Sequence, residues 1–312
     1  MEIKNRYMPE GYLISSEANR IYTSNLKNLE SAMKRGVILE GIATVCDCTD
    51  MSLRVRVGNF EGVIDHGETM YCHGEIKDIA VISRVGKPVC FKIKSIEADG
   101  GVPRLHLSRR DAQIECYEAF TSKLCPGDII PSVVTHLDPF GAFVDIGCGI
   151  ISLITIDCIS VSRIFHPSDR LFMGERLYTV VKSRDTETGR LYMSLRELLG
   201  TWEENAAEFT PYSTVSGIVR SVEDYGVFVE LSPNLAGLAE LRDDVAPGDV
   251  CSVYIKSIIR ERMKIKLVII DTCGEAKREP LKYFVDVGRV HHIDSWYYSP
   301  IGAKKQVETV FG

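Results

Sequence analysis

The sequence predicts an all-β protein with linking helices, in which three small closed barrels of five strands each follow one another along the chain. Three observations lead there. Period-2 alternation recurs in short segments bounded by Gly, Asp and Asn, the pattern of half-buried strands. Two stretches 85 residues apart repeat one set of landmarks, Phe140-Gly141-Ala142-Phe143-Val144 and Tyr225-Gly226-Val227-Phe228-Val229. Between the repeats, the apolar spacing switches to that of helices. Five short antiparallel strands leave exposed edges in an open sheet, so closure is favoured.

Residues 1–36 form an N-terminal segment, in which 16–35 read as one amphipathic helix with Ser16 as cap and Gly36 as stop. Residues 37–110 form a degenerate first barrel, with strands expected at 37–45, 53–57, 60–64, 86–94 and 104–108. A helical linker at 111–126 follows, within the helically spaced run 109–124. The second barrel spans 127–196, a second helical linker 197–212, and the third barrel 213–271. Residues 272–312 are a tail with a Trp296-Tyr297-Tyr298-Ser299-Pro300 cluster and no assigned secondary structure. Both linkers carry apolar faces, so neighbouring barrels should dock. Trp202 is the expected anchor between the second and third, because a large ring with a donor tip is costly to leave wet.

Composition narrows the class. With 45% hydrophobic and 26% charged residues among 312, the chain is of ordinary globular type. The longest apolar stretch, 150–156, is far too short to span a membrane, and the first residues lack the apolar run of a secretory signal. Ten cysteines without any C-x-x-C spacing read as packed, reduced thiols, and the expected location is cytoplasmic. A net charge of −6 argues against an overall basic, duplex-binding surface but leaves room for a local basic patch.

The second and third repeats resemble the S1 motif, the OB-fold RNA-binding module named after a small-subunit ribosomal protein. In the second repeat the resemblance rests on Phe140-Gly141-Ala142-Phe143-Val144, Gly149-Ile150-Ile151, Gly174-Glu175, Asp185 and Gly189-Arg190-Leu191-Tyr192-Met193-Ser194-Leu195. The first repeat keeps the strand order only: Met51 takes the place of Phe140, and Arg54 that of Phe143. The resemblance implies tandem five-stranded OB-fold barrels that bind single-stranded RNA, in translation or RNA metabolism.

Residue chemistry suits that expectation. Phe140 and Phe143, beside a glycine that cannot block them, form a platform on which each unpaired base is worth about 1–3 kcal/mol. The family surface adds a histidine, an aspartate and an arginine, whose positions fall by alignment on Ser152, Asp185 and Arg190. The third repeat keeps Tyr225 and Phe228, places Glu240 at the histidine position, and has Lys264 at the arginine position. Around it, Lys256, Arg260, Arg262, Lys264 and Lys266 stand against Glu261 alone, which reads as a phosphate track or as lysines guarding a strand edge. The first repeat lacks both rings. Since the leading repeats of the ribosomal protein dock protein, residues 1–110 are expected to contact the ribosome or another RNA-processing protein.

Catalysis is not expected. No nucleophile elbow, Walker loop or dinucleotide fingerprint occurs. The clusters Glu68–Glu75, with Cys72 and His73, and His291-His292-Ile293-Asp294 lack a second pair at zinc spacing. Neither a cofactor nor a metal is expected. The alternative to RNA binding is a protein-docking scaffold, a ribosome- or nuclease-associated adaptor.

Overall fold

The computed structural model describes residues 6–72, 74–97, 101, 103–272, 274 and 280–312. Each predicted repeat closes into a barrel of five strands. The first is built from β1 (Leu39–Cys46), β2 (Leu53–Val57), β3 (Phe60–Ile64), β4 (Pro88–Glu97) and β5 (Arg104–Ser108). The second uses β6 (Ile129–Asp138), β7 (Gly141–Asp145), β8 (Ile151–Thr155), β9 (Arg176–Arg184) and β10 (Leu191–Ser194). The third uses β11 (Thr214–Glu223), β12 (Gly226–Ser232), β13 (Leu235–Ala239), β14 (Val250–Ile259) and β15 (Lys264–Thr272). In each barrel the third and fifth strands pair in parallel, and the described pairings of the other strands are antiparallel. Alternation does what the sequence requires: in β2 and β15 buried and exposed residues follow one another along the strand.

The chain forms two compact units, Met1–Leu124 with Pro131–Val133 and Asp145–Ile151, and Cys125–Ile130 with Val134–Val144 and Ser152–Gly312. In the first unit, the single helix expected over 16–35 is two. The helix α1 (Glu17–Tyr22) ends where the Thr23 hydroxyl donates to the Asn19 carbonyl at 2.8 Å. Asn25 then takes an extended conformation and caps α2 (Leu26–Arg35), accepting from the Asn28 amide at 2.9 Å. The caps at Ser16 and at the left-handed Gly36 stand as expected.

A short helix α3 (Asp78–Ile82) precedes β4, and α4 (Arg109–Ala119) follows β5 directly. The linker helix α4 starts on a buried ion pair: Arg109 donates to Glu10 at 2.6 and 3.0 Å. Two further carboxylates lie in this unit's interior. Glu40 accepts from the Gly11 and Ile14 amides at 3.1 and 2.7 Å, and Asp145 from the Glu10 amide at 2.7 Å. Burial dominates both and raises Glu40 to about 8 and Asp145 to about 7. The folded state therefore binds these protons more tightly than the unfolded chain, whose carboxyls titrate near 4.5 and 3.8. Their contribution is whole below those values and is lost as pH rises through about 7 and 8. Relative to wild type, Glu40→Gln should lose less stability on going from pH 5 to pH 8, measured by melts that follow this unit's amide resonances. Parallel pH curves for variant and wild type would show that Glu40 stays charged.

In the second unit, the helical linker expected over residues 197–212 is a 3-10 turn at Arg196–Leu198 and a short α5 (Trp202–Ala206). The break comes from a capping box: the Thr201 hydroxyl accepts from the Glu204 amide at 3.2 Å, and the Glu204 carboxylate accepts from the Thr201 amide at 2.7 Å. Trp202 is 2% exposed and packs in the core of the third barrel with Val219, Val227, Leu235 and Tyr298. The second and third barrels also meet through buried polar groups. Arg170, in the β8–β9 loop, donates twice to Glu230 of β12 at 2.7 Å each, and Arg220 of β11 donates to the same carboxylate at 2.8 and 3.2 Å. Burial alone would raise Glu230, yet the two guanidiniums hold it below its ordinary value. Asn234, fully buried in the β12–β13 turn, donates to the Arg196 and Gly200 carbonyls at 2.8 and 2.9 Å and accepts from the Val161 amide at 2.9 Å.

The tail is ordered by packing. Strands β16 (Ser295–Tyr297) and β17 (Glu308–Val310) pair antiparallel, and Trp296 and Tyr298 join the third barrel's core. Phe311, Tyr283 and Val290 pack with Ile129, Val180 and Leu198. The nine described cysteines are thiols. Cys90, Cys116, Cys148, Cys158 and Cys251 are buried as expected, whereas Cys48, Cys72 and Cys125 are exposed, against expectation. Cys273 and His73 lie outside the described residues. Among the described residues, no helix is long and apolar enough to cross a membrane.

Candidate nucleic-acid interface

The signature rings form the same corner in two barrels. Phe140 and Phe143 meet edge to face, with centroids 5.8 Å apart and planes at 89°. Tyr225 and Phe228 repeat this at 6.1 Å and 89°. Phe140 is 54% exposed and Tyr225 69%, while Phe143 and Phe228 are half-buried beneath them. Neither ring fills a barrel. The intervening glycine has another reason than leaving the rings clear. A Cβ at Gly141 would lie 2.3 Å from the Ile154 carbonyl oxygen, and one at Gly226 2.4 Å from that of Ala239, so β8 and β13 approach too closely for a side chain.

These contacts also fix the equivalence between the barrels: Ile154 corresponds to Ala239, hence Leu153 to Leu238 and Thr155 to Glu240. Ser152 therefore corresponds to Gly237, and its expected place on the RNA surface is corrected. Ser152 is 5% exposed, and its hydroxyl donates to the Leu191 carbonyl. The alignment was three residues out, an odd number, and in a strand that moves a side chain to the opposite face. Half-buried Thr155 takes the position.

Pairing then sets the fifth strand. Leu153 lies opposite Tyr192, and Leu238 opposite Lys266, so Tyr192 and Lys266 are equivalent, as are Arg190 and Lys264. Arg190, Lys264 and Lys266 are exposed. Lys256 is exposed in the β14 bulge between Ile255 and Ser257. Its counterpart in the second barrel, Lys182, instead contacts the Cys158 sulfur at 2.9 Å. Asp185 shapes the turn before Arg190. Its carboxylate accepts from the Glu187 and Thr188 amides at 2.9 and 2.8 Å, and those N–H groups, Thr188 first, hold it below its ordinary value.

Two residues in the second barrel escaped the sequence reading. Tyr192, half-buried beside Leu153, is a further ring on β10. His136 on β6 stacks on Phe143, with centroids 6.1 Å apart and planes at 30°. Plain period 2 along β6 would set His136 on the face of Ile130 and Val134, inside the barrel, so the sequence carried no signal for its outward facing.

The first barrel presents a different face. Its register puts Arg54 where Phe143 and Phe228 stand, as the sequence implied. Two of its basic side chains have carboxylate partners, Arg54 with Glu61 at 3.7 Å and Lys94 with Glu68 at 2.9 Å, and the His106 ring lies 3.3 Å from Glu97. In the tail, His292 lies 2.8 Å from Asp128 and 3.4 Å from Asp294.

The S1 RNA binding domain family matches residues 123–196, the second barrel. Similarity extends further along the chain. Small ribosomal subunit protein bS1 of Leuconostoc lactis is 35% identical over 157 residues, covering 48% of this chain and 36% of that protein. The bS1 of Staphylococcus saprophyticus is 29% identical over 195 residues, covering 57% and 49%. The chain thus spans about half the length or less of these curated relatives. A solved multidomain protein with nucleic acid binding domains, from Streptococcus pneumoniae, is 16% identical over 78% of this chain and 76% of that one, with a TM-score of 0.26.

Proposed function

We propose that this protein binds single-stranded RNA in translation or RNA metabolism, stacking unpaired bases on the ring corners of its second and third barrels. The observation that carries this reading is the repeated corner itself, exposed in both barrels with the same 89° geometry and flanked by cations. Exposed rings next to phosphate-binding side chains suit unpaired RNA, because every base has a face to stack and every nucleotide a charge to hold. Phe140 and Phe143 with Arg190 and the Asp185 turn serve the second barrel. Tyr225 and Phe228 with Lys256, Lys264 and Lys266 serve the third. The similarity of these repeats to small ribosomal subunit protein bS1 supports the same reading.

The first barrel takes the docking role. Without the ring corner, and with Arg54 and Lys94 paired to Glu61 and Glu68, its face offers less to RNA and suits a protein partner, the ribosome or another RNA-processing protein.

Filter binding of the full chain to an unstructured RNA at two salt concentrations tests the assignment. Lys264→Glu with Lys266→Glu should weaken every sequence alike and flatten the slope of log affinity against log salt by about 1.4, from about 0.7 for each lost single-strand phosphate contact. An unchanged slope would mean that these lysines only guard a strand edge. No binding at either salt would favour a protein-docking scaffold throughout.

A further inference from the structure

We propose that His136 presents a base-stacking face of the second barrel, with Phe143 as its backing ring, so that this barrel offers beside its corner a ring surface that the third lacks. The proposal rests on the RNA-binding reading above and adds a ligand-contacting residue to it.

Geometry is the first support. Phe140 and Phe143 meet at right angles, with centroids 5.8 Å apart. The His136 imidazole stands against Phe143 in an offset contact, with centroids 6.1 Å apart and planes at 30°. A base arriving on that side meets the imidazole first. It must either displace the imidazole or stack on it, and stacking keeps the existing ring contact while adding a second.

Position is the second. His136 stands on β6 where the first strands of the other barrels carry a bulge, at Ala43/Val45 and Val219/Ser221, a device that re-aims a side chain out of the ladder. The neighbouring Thr135 hydroxyl donates to the Phe143 carbonyl at 3.1 Å and ties the two strands together at this point. The His136 side chain is 60% exposed, and its Nε2 lies 3.4 Å from an Asp138 carboxylate oxygen. That contact is made at the ring's edge, so it limits the imidazole's rotation while leaving its face clear.

Comparison within the chain is the third. The equivalent residues are Val45 in the first barrel and Ser221 in the third, and neither is a ring. Phe228 is therefore not covered in this way. The barrels divide the work accordingly: the second is the richer in flat rings, with Tyr192 where the third has Lys266, and the third is the richer in lysine.

The test uses the full chain and two labelled probes, an oligouridylate and an oligoadenylate of eight nucleotides. His136→Ala should weaken both by about tenfold, within the range for one stacked base. His136→Phe should restore most of the loss, because it keeps a flat ring and discards charge and hydrogen bonding. Both variants should keep the wild-type salt slope, since no phosphate contact is removed. Wild-type affinity for His136→Ala would overturn the proposal, as would a His136→Phe variant as weak as the alanine one. A parallel Phe140→Ala measurement separates the two levels of argument. If Phe140→Ala weakens binding and His136→Ala does not, only the histidine assignment falls. If neither changes affinity, the second barrel is not the RNA site at all.

Discussion

Phe140→Ala combined with Phe143→Ala is expected to reduce affinity for a short unpaired RNA by about 2–6 kcal/mol, from two stacked bases at about 1–3 kcal/mol each. Phe140 contributes as a free face. Phe143 contributes through its own ring and through the imidazole resting on it, 6.1 Å away. The fold should survive, because the barrel's interior is made by other side chains, among them Val134, Val144, Ile154, Val180 and Met193. Circular dichroism decides that point: an unfolded double variant would make these rings part of the core and remove the stacking argument. Isothermal titration at fixed salt gives the affinity. A loss below about 1 kcal/mol would leave less than one stacked base in the second barrel.

Glu230→Gln should be the most damaging single substitution between the second and third barrels. It is nearly isosteric, so packing is retained, but Arg170 and Arg220 then lose the carboxylate they share, and only Asp169, 3.9 Å from Arg220, remains beside them. Both guanidiniums and the carboxylate are buried, so little water is at hand to compensate. Breaking a buried pair by removing one partner costs about 3–5 kcal/mol, whereas replacing all its members by apolar residues of similar volume is often neutral. The triple variant Arg170→Met, Arg220→Leu, Glu230→Leu should accordingly be much closer to wild type than Glu230→Gln alone. Urea unfolding followed by tryptophan fluorescence reports on this part of the molecule, because the chain's two tryptophans, Trp202 and Trp296, both lie in the third barrel's core cluster. A loss under 1 kcal/mol for Glu230→Gln would show that water reaches the carboxylate in solution.

Much of the candidate site was legible because it is written in short range. An aromatic, a glycine and a second aromatic three residues on recur at 140–143 and 225–228, and each pair forms its corner within one turn and strand. Arg190, Lys264 and Lys266 were legible for the same reason, since strand alternation after a turn sets their facing. The histidine position was not legible in the same way, because the register between strands depends on bulges and loop lengths that no local pattern records. His136 went unnoticed because its partner lies on the neighbouring strand. Helix lengths were overstated wherever caps such as Asn25 and Thr201 interrupt an otherwise helical spacing.

By itself, the sequence determined three five-stranded barrels in order, the ring corners of the second and third, and the loss of that corner in the first. Each follows from alternation, turn residues and a repeated landmark, which act between residues a few places apart. Tertiary structure alone decided the inward turn of Ser152, the stacking of His136 on Phe143, the Arg170–Glu230–Arg220 cluster and the docking of the tail through Trp296 and Phe311. Those features join residues that lie from 7 to more than 100 places apart, as when Phe311 packs with Val180. Closure of the barrels brings such residues together. Until it does, their side chains carry no pattern that distinguishes them from neighbours of the same type.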